Sequence, residues 1–279
     1  MTTLHRNDQN QNSANKESTM LNPMSPTSVQ TVRPSVRSGP RASARGACRP
    51  VSCSSCCLQG VCLPSGLTGQ ELNELSEMTA AKRRVSRGAA LYRGHDAFDS
   101  LFAVRSGAFK SVGVSRAGEE KVTGFHFPGE LMGLDAINSD RHAYDAIALE
   151  DSEVCVIPYT ALTQLALRIP QLQMRLLRIL SSDISRDQGL MLLLGSMTAE
   201  QRLCAFLLSL SRRHEKLGYS GDRFHLRMTR EDIGSYLGLT LETVSRLLSR
   251  LQRDGLISAR QREIELKNVP ALKDVVGHW

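Results

Sequence analysis

The 279-residue chain has few aromatic residues and no long apolar run. Phe, Tyr and Trp make up 5% of it, and none occurs before Tyr92. No stretch approaches the roughly 18 apolar residues that a membrane span needs, which excludes a transmembrane helix. Residues 1–47 are rich in Ser, Thr, Asn, Gln, Arg and Pro, so they cannot bury enough apolar surface to offset the entropy lost on ordering. We expect a disordered polar tail over residues 1–47.

The N-terminus also lacks the charged and then apolar pattern of a signal peptide. The seven cysteines are an odd number, which does not suit a secreted disulfide framework. Both observations predict a reducing, cytoplasmic location. The net charge of +7 permits nucleic-acid binding without requiring it.

Five of the seven cysteines fall within fifteen consecutive residues, which indicates metal ligation rather than packing. Cys53, Cys56 and Cys62 form a C-x2-C-x5-C array. Thiolates on a short loop can hold zinc or an iron–sulfur cluster, and each group needs a fourth ligand. Folding the loop onto the strand that carries Cys155 would complete a site of four cysteines. The spacing alone does not distinguish a cluster from zinc or from redox-active thiols.

Short apolar runs separated by glycines occupy the chain from about Ala81 to Pro158. This spacing predicts antiparallel strands closed into a small barrel or roll. After Pro170 the turn residues disappear, and a helical pattern runs to about Gly195. These patterns predict an α+β chain with a cysteine-rich loop at 48–66, a β-roll sensor domain at 67–165, a dimerisation helix at 166–196 and a winged helix-turn-helix domain at 197–279.

The long helix carries a coiled-coil seam. Its positions alternate in steps of three and four residues, as the a and d positions of a two-stranded coiled coil do. The seam residues are Leu177, Leu180, Ile184, Asp187, Met191 and Leu194. The alternative is a helix packed on its own roll. Because Asp187 would face its symmetry mate in a dimer, repulsion and desolvation would weaken association, and we predict a dimer that forms conditionally.

Two helix starts within a dozen residues form a helix-turn-helix pattern. Thr229 and Asp232 form a Thr-x-x-Asp capping signature, and Thr240 can cap a second helix. Gly238 can take the left-handed conformation that ends the first helix. Downstream, the polar turn Arg260-Gln261-Arg262 lies between two apolar runs and predicts a β-hairpin wing. The wing arginines would meet phosphates.

The second helix of this pattern presents side chains that can read bases. Glu242, Ser245 and Arg246 share one face near the helix end that enters a major groove in this motif. Arg can bridge guanine O6 and N7, Glu can accept from cytosine N4, and Ser can contact a base or a phosphate. The alternative is an ordinary three-helix subdomain with a solvated charged face. The predicted DNA-contacting residues are Thr229, Arg230, Thr240, Glu242, Thr243, Ser245, Arg246 and Arg250.

Six segments match one known family in order: Cys53-x2-Cys56-x5-Cys62-Leu63-Pro64, Val104-Arg105-Ser106-Gly107, Thr123-Gly124-Phe125-His126, Ala148-Leu149-Glu150 with Cys155, Ile184 with Asp187-Gln188, and Glu242-Thr243-Val244-Ser245-Arg246. Over about residues 50–275 the chain resembles the cyclic AMP receptor protein superfamily. Within it, the chain is similar to the fumarate-and-nitrate-reduction regulator (FNR or Anr) type. That type folds as a cyclic-nucleotide-binding-like jelly roll, a dimerisation helix and a winged helix-turn-helix.

The resemblance implies an oxygen-labile 4Fe–4S cluster on Cys53, Cys56, Cys62 and Cys155. It implies that the intact cluster favours a homodimer, and that oxygen removes the cluster and switches the protein off. It also implies that the Glu-x-x-Ser-Arg motif reads a TTGAT-like half-site in a palindromic operator on double-stranded DNA. Cys57, beside Cys56, and the nearby Cys48 remain alternative ligands.

The resemblance further implies contact between RNA polymerase and a loop at Gly118, Glu119 and Glu120. A rival regulator that binds a cyclic nucleotide in the roll would need a Glu and a Ser/Thr where this chain has Asp135 and Ala143, although Arg141 lies nearby. A second rival is an enzyme or electron carrier, for which the sequence shows no Gly-rich phosphate loop and no Ser/His/Asp order. We therefore predict a DNA-binding regulator without enzyme activity.

Overall fold

The computed structural model describes residues 52–79, 81–114 and 118–277. The predicted disordered tail over 1–47 and Cys48 lie outside the described residues. The helices are α1 Gly69–Met78, α2 Tyr159–Arg168, α3 Pro170–Ser196, α4 Ala199–Lys216, α5 Arg230–Leu237, α6 Leu241–Arg253 and α7 Val269–Val276. The strands are β1 Lys82–Val85, β2 Ala90–Tyr92, β3 Ser100–Ser106, β4 Phe109–Val114, β5 Glu120–His126, β6 Leu131–Met132, β7 Asp145–Ala148, β8 Ser152–Pro158, β9 Arg223–His225, β10 Ile257–Arg260 and β11 Glu263–Leu266.

The first eight strands form a β-roll of two four-stranded antiparallel sheets, ordered β1-β8-β3-β6 and β2-β7-β4-β5. Between them lies an apolar core that includes Leu91, Phe102 and Phe109. The turn between β3 and β4 requires Gly107, which has φ +83°, because a Cβ there would lie 2.1 Å from the Ser152 hydroxyl oxygen. The glycine-separated apolar runs are therefore confirmed as an antiparallel roll.

A helix that the sequence patterns did not predict precedes the roll. α1 begins at a capping box formed by Thr68 and Glu71, and it buries Leu72 and Leu75. These two leucines belong to a second apolar cluster, which also contains Leu63 from the cysteine loop and residues of β3, β8, α2 and the start of α3. This cluster holds the cysteine loop against the roll.

The helix α3 runs unbroken for 27 residues, about 40 Å at 1.5 Å per residue. It begins with Pro170 in its first turn, where a missing N–H costs nothing. Only Leu172 and Leu193 of this helix are fully buried. None of the helices in the described parts of the chain has both the length and the apolar character to span a membrane.

The C-terminal region is a winged helix-turn-helix, as predicted. α5 begins at the capping box of Thr229 and Asp232 and ends at Gly238, which has φ +65°. α6 begins at Thr240, whose hydroxyl oxygen accepts a hydrogen bond from the Thr243 amide. The wing pairs β10 with β11 across the turn at Gln261, and the additional strand β9, which was not predicted, completes a sheet of order β10-β11-β9. The separate residue Cys204 is fully buried, which confirms its interpretation as a small core side chain.

The helix-turn-helix domain packs directly on the roll. The apolar core of this domain includes Phe125 of β5 beside Phe206 of α4 and Tyr236 of α5, with ring centroids 5.1–5.9 Å apart. At the edge of this aromatic group, the Ser235 hydroxyl oxygen accepts a hydrogen bond of 2.9 Å from the Val122 amide. The strand β5 therefore holds the position of the first DNA-binding helix.

Candidate metal centre and nucleic-acid interface

Four cysteines line one small apolar cavity between the cysteine loop and the roll. Cys53, Cys56 and Cys62 come from the loop, and Cys155 comes from β8, where it pairs in register with Ala103 of β3. The cavity measures about 30 Å³, little more than the space of one water molecule. A larger bound group therefore requires the side chains that line the cavity to move apart. Thiolates are the ligands that zinc and iron–sulfur clusters take, so the donor set suits either group.

Two hydroxyls at the end of α1 hold Cys53. The Cys53 amide donates to the Ser76 hydroxyl oxygen at 3.0 Å, and its sulfur lies 3.3 Å from the Thr79 hydroxyl oxygen. The Thr79 hydroxyl also lies 2.9 Å from the Leu75 carbonyl, to which it donates. Sequence patterns did not identify Ser76 or Thr79, because neither lies in the cysteine array. Their role follows only from the packing of α1 on the loop.

The side of the loop near Cys62 is held by the long helix. The Arg175 guanidinium of α3 donates to the Val61 carbonyl at 2.6 Å and to the Cys62 carbonyl at 3.0 and 3.2 Å. Behind the loop, Val61 packs on the turn at Gly129, where a Cβ would come within 2.8 Å of a Val61 methyl. Arg175 was also missed by the sequence analysis, since nothing local relates it to the loop.

Burial keeps two of the cavity thiols in the protonated form. Desolvation raises the pKa of Cys62 to about 12 and that of Cys155 to about 11. A coordinated metal cation deprotonates a thiol outright, so these thiols become thiolates only with such a charge beside them. Cys57 is exposed and does not line the cavity. Within the described parts of the chain, no three His, Cys, Asp or Glu side chains are already placed around one metal-ion position.

The recognition helix α6 presents the predicted base-reading residues to solvent. Val244, Leu248 and Leu251 form its buried stripe, so Glu242 and Arg246 are exposed and Ser245 is half-buried on the opposite face. Hydrogen bonds from its own amide and from the Thr240 side chain lower the pKa of Glu242. Arg230 donates to the Ser245 hydroxyl oxygen at 3.1 Å. These residues are arranged as a surface that can enter a major groove.

Other members of the predicted DNA-contacting set already have partners. Thr229 and Thr240 cap α5 and α6, and Thr243 donates its amide to Thr240. Arg250 lies 3.5 Å from the Glu200 carboxylate and 3.7 Å from that of Asp254. The three threonines support the helix-turn-helix geometry whether or not they touch DNA.

The predicted coiled-coil seam of α3 is mostly uncovered. Leu177, Ile184 and Met191 are 51%, 58% and 71% exposed, so the roll of the same chain does not cover them. Leu180 and Leu194 are half-buried. Burial, followed by the neighbouring Asp183 charge, raises the pKa of Asp187. Such an exposed apolar row is the kind of surface that another helix covers.

Comparison with known proteins gives the same two-part organisation. The sequence profile of the cyclic nucleotide-binding domain matches residues 82–168, and that of the Crp-like helix-turn-helix domain matches residues 201–275. The transcriptional regulatory protein btr of Bordetella pertussis is 47% identical over 81% of this chain and 93% of its own length. The fumarate and nitrate reduction regulatory protein of Escherichia coli K12 is 42% identical over 82% of this chain and 91% of its own length.

The chain belongs to the FNR type of the cyclic AMP receptor protein superfamily. The solved structure of FixK2 from Bradyrhizobium japonicum superposes with a TM-score of 0.66 and 30% identity, covering 71% of this chain and 98% of that chain. FNR-type proteins are transcriptional regulators with a helix-turn-helix DNA-binding domain, not enzymes. The predicted family, fold and regulatory class are therefore confirmed.

The roll of this FNR-type chain departs from a nucleotide pocket where a phosphate would bind. Asp135 accepts a hydrogen bond of 2.7 Å from the Ala143 amide, and Arg141 donates to the His95 carbonyl at 2.7 Å. His142 is buried and stacks on Tyr92, with ring centroids 3.7 Å apart. Since these polar groups bond to the roll itself, the geometry does not favour a cyclic nucleotide as the ligand.

Proposed function

We propose that this chain is an oxygen-responsive transcriptional regulator that holds a 4Fe–4S cluster on Cys53, Cys56, Cys62 and Cys155. The observation that carries the proposal is the convergence of these four cysteines, from two distant parts of the chain, on one cavity. The name of a Haemophilus influenzae relative, an anaerobic regulatory protein that is 42% identical over 81% of this chain, supports the response to oxygen. The cluster would supply the sensing chemistry, since it is lost on reaction with oxygen.

The protein itself supplies the positions of the ligands. Ser76 and Thr79 hold Cys53 from one side, and Arg175 holds the Cys62 carbonyl from the other. Cys155 is fixed on β8 between β1 and β3. Three ligands on a movable loop and one on a rigid strand form a site that closes when the loop docks and opens when it leaves.

Dimerisation through α3 would connect this site to DNA. The exposed seam at Leu177, Ile184 and Met191 supports a homodimer, and Asp187 within it weakens the pairing. A dimer presents two copies of α6 to half-sites one helical turn apart, whereas a monomer makes half of the contacts. In each half-site, a TTGAT-like sequence would be read by Glu242, Ser245 and Arg246, with phosphates bound by arginines such as Arg230.

Activation of transcription would use a surface other than the recognition helix. Glu119 is exposed in the turn before β5, next to Gly118, which has φ +82°, and the exposed Glu120 is the first residue of that strand. We assign RNA polymerase contact to this turn. Its position on the β4–β5 hairpin, the hairpin on which the helix-turn-helix domain packs, supports the assignment.

The test follows anaerobically purified protein through a brief exposure to air. We expect broad visible absorbance with four irons and four sulfides per chain, a dimer in sedimentation, and binding to a palindrome of two TTGAT half-sites. Air should bleach the absorbance and remove both the dimer and the operator binding. Colourless protein, with or without zinc, that binds the operator equally before and after air would contradict the proposal.

Two variants complete the experiment. Cys155→Ser should prevent cluster assembly while leaving the far-ultraviolet circular dichroism unchanged. Cys57→Ser is the matched control, because Cys57 is exposed and lies outside the cavity, and it should keep the full iron content. Retained cluster absorbance in the Cys155→Ser variant would assign the fourth ligand to Cys57 or Cys48 instead.

A further inference from the structure

A polar side chain joins the cysteine loop to the long helix α3, beside the apolar cluster that both share. Arg175, in the second turn of α3, reaches across to the loop and donates three hydrogen bonds to the carbonyls of Val61 and Cys62, at 2.6, 3.0 and 3.2 Å. The hydrogen bonds of a charged guanidinium are stronger than those of neutral donors. Residues 113 and 114 positions apart in sequence are thereby held together.

The Arg175 contact lies between a proposed ligand residue of the loop and the start of the seam on the helix. Cys62 is a proposed ligand, and the carbonyl that Arg175 binds belongs to the same residue as its sulfur. On the helix, Leu177 begins the exposed seam only two residues after Arg175. Within the described residues, no other side chain of α3 forms hydrogen bonds with the cysteine loop.

Movement of the loop would also change the hydration of the Arg175 guanidinium. Arg175 is half-buried, and desolvation lowers its pKa. While the loop is docked, the two carbonyls compensate for the lost hydration. When the loop leaves, the charge must find water, and α3 loses its polar bonds to the loop while Leu172 stays packed in the apolar cluster.

We propose that Arg175 is the positioning residue that couples the state of the cysteine loop to the dimerisation helix. This inference rests on the proposed function and assigns its route of regulation. The loop in its docked, ligand-bound state holds the start of α3 through Arg175 and presents the seam for pairing. Loss of the bound group releases the Val61 and Cys62 carbonyls, and the seam loses its fixed position.

The control for this inference lies one turn further along the same helix. Arg178 is exposed and lines the same cleft as Arg175, but among the described residues it makes no hydrogen bond to the loop. Arg175→Met and Arg178→Met therefore remove the same charge from the same helix. Only the first removes the three hydrogen bonds.

The first measurement uses the anaerobically purified full-length chain, in which the proposal expects a docked loop, with iron and sulfide measured on each sample. In the Arg175→Met variant, the amides of Val61, Cys62 and Ser65 should exchange with deuterium about fivefold faster or more, because the turn they form loses its external donors. The Arg178→Met variant should exchange at the parent rate. Equal exchange in all three proteins overturns the proposal.

The second measurement is the dimer dissociation constant by sedimentation, before and after air removes the cluster, with iron and sulfide measured on each sample. The ratio of the two constants should fall about fivefold or more in the Arg175→Met variant, at unchanged iron content, and stay at the parent value in the Arg178→Met variant. A parent-like ratio in the Arg175→Met variant overturns the coupling. If the ratio is one in the parent protein, loss of the cluster does not change its dimerisation, and the proposed function itself is wrong.

A loss of iron from the Arg175→Met variant is resolved by Arg175→Lys, which keeps the charge and a single flexible donor. For the Arg175→Lys variant, the proposal expects full iron content and a ratio of dissociation constants between those of the parent and the Arg175→Met variant. A parent-like ratio in the Arg175→Lys variant, together with iron loss in the Arg175→Met variant, would mean that Arg175 only supports the loop, and would overturn the coupling.

Discussion

The Lys110 ammonium of β4 lies 2.6 Å from the Asp232 carboxylate of α5, and this ion pair ties the roll to the first DNA-binding helix. The same carboxylate accepts hydrogen bonds from the Thr229 amide at 2.9 Å and from its hydroxyl at 2.7 Å. Burial opposes the charge on Asp232, but the bonds from Lys110 and Thr229 outweigh it and lower the pKa. One side chain therefore both caps α5 and docks it on the roll.

Replacing Lys110 should leave this buried carboxylate without its counter-charge. We expect Lys110→Met to lower the free energy of unfolding by about 1–3 kcal/mol at pH 7, measured by urea denaturation. Because the folded pKa of Asp232 is lowered, the contribution of the pair is present above the unfolded pKa near 4 and is lost as pH falls below it. The difference between parent and variant should therefore shrink in acid.

A double-mutant cycle with Asp232→Asn provides the control. The double variant should be more stable than the sum of the single losses indicates, because the buried charge is removed together with its partner. Strictly additive losses would show that Lys110 and Asp232 do not interact in solution.

The helix-turn-helix requires glycine at position 234. A Cβ on Gly234 would lie 2.7 Å from the Leu239 carbonyl oxygen, and the Leu239 amide in turn donates to the Gly234 carbonyl at 2.8 Å. Neither backbone group can move without opening the turn. We expect Gly234→Ala to destabilise the protein by about 1–3 kcal/mol and to weaken operator binding, measured by thermal unfolding and fluorescence anisotropy.

Gly195→Ala is the matched control for this substitution. Gly195 is also helical, and a Cβ there has nothing within 4 Å, so alanine should be neutral or stabilising. Equal losses in both variants would mean that helix propensity rather than the turn determines the effect.

The predictable features of this chain are those set by neighbours in sequence. The caps at Thr229 and Thr240 act over three residues, and the glycine turns of the roll also act locally, so spacing was enough to predict them. The helix α1 was missed because it has only ten residues, so its apolar side is short, and because it adjoins the cysteine loop. Lys110 and Arg175 meet partners more than a hundred residues away, and no local pattern carries that information.

The seam of α3 contains a residue that opposes pairing. Partial desolvation and the neighbouring Asp183 charge raise the pKa of Asp187, so its charge is less favourable on the helix of one chain than on a free side chain. Pairing would bring two such carboxylates together. We expect Asp187→Ala to tighten the dimer about fivefold or more in air-exposed protein, measured by sedimentation. The exposed, off-seam substitution Ser181→Ala should leave the dimer unchanged, and an Asp187→Ala variant no tighter than the parent would exclude this role.

His126 should make stability depend on pH. Its side chain is half-buried, with Nε2 2.7 Å from the Ser111 hydroxyl oxygen, and desolvation lowers its pKa to about 4 despite the nearby Glu130 carboxylate. Between about pH 6.5 and 4 the unfolded chain binds a proton that the folded chain does not. The free energy of unfolding should therefore decrease as pH falls through this window, by about 3 kcal/mol in total.

The variant His126→Gln isolates this contribution, because glutamine keeps a polar side chain and does not titrate. Its unfolding free energy should be lower at neutral pH and should change less between pH 6.5 and 4 than that of the parent. Arg186, Arg213 and Asp183 also face this site, and both proteins keep them. Parallel pH profiles for the two proteins would assign the pH dependence to other groups.

Arg246 and Arg260 should weaken DNA binding in different ways. Both are exposed, but Arg246 lies on the recognition helix beside Ser245, whereas Arg260 lies at the end of β10 in the wing. A guanidinium that bridges guanine O6 and N7 discriminates between bases, and one that meets a phosphate does not. Arg246→Ala should therefore cost about 1–3 kcal/mol on the operator and relax discrimination at one guanine. Arg260→Ala should weaken binding to operator and random DNA alike and reduce the slope of affinity against salt by about one.

Titrations of both variants on operator and scrambled DNA at several salt concentrations distinguish the two roles. Identical losses on both DNAs in both variants would show that this assignment is wrong.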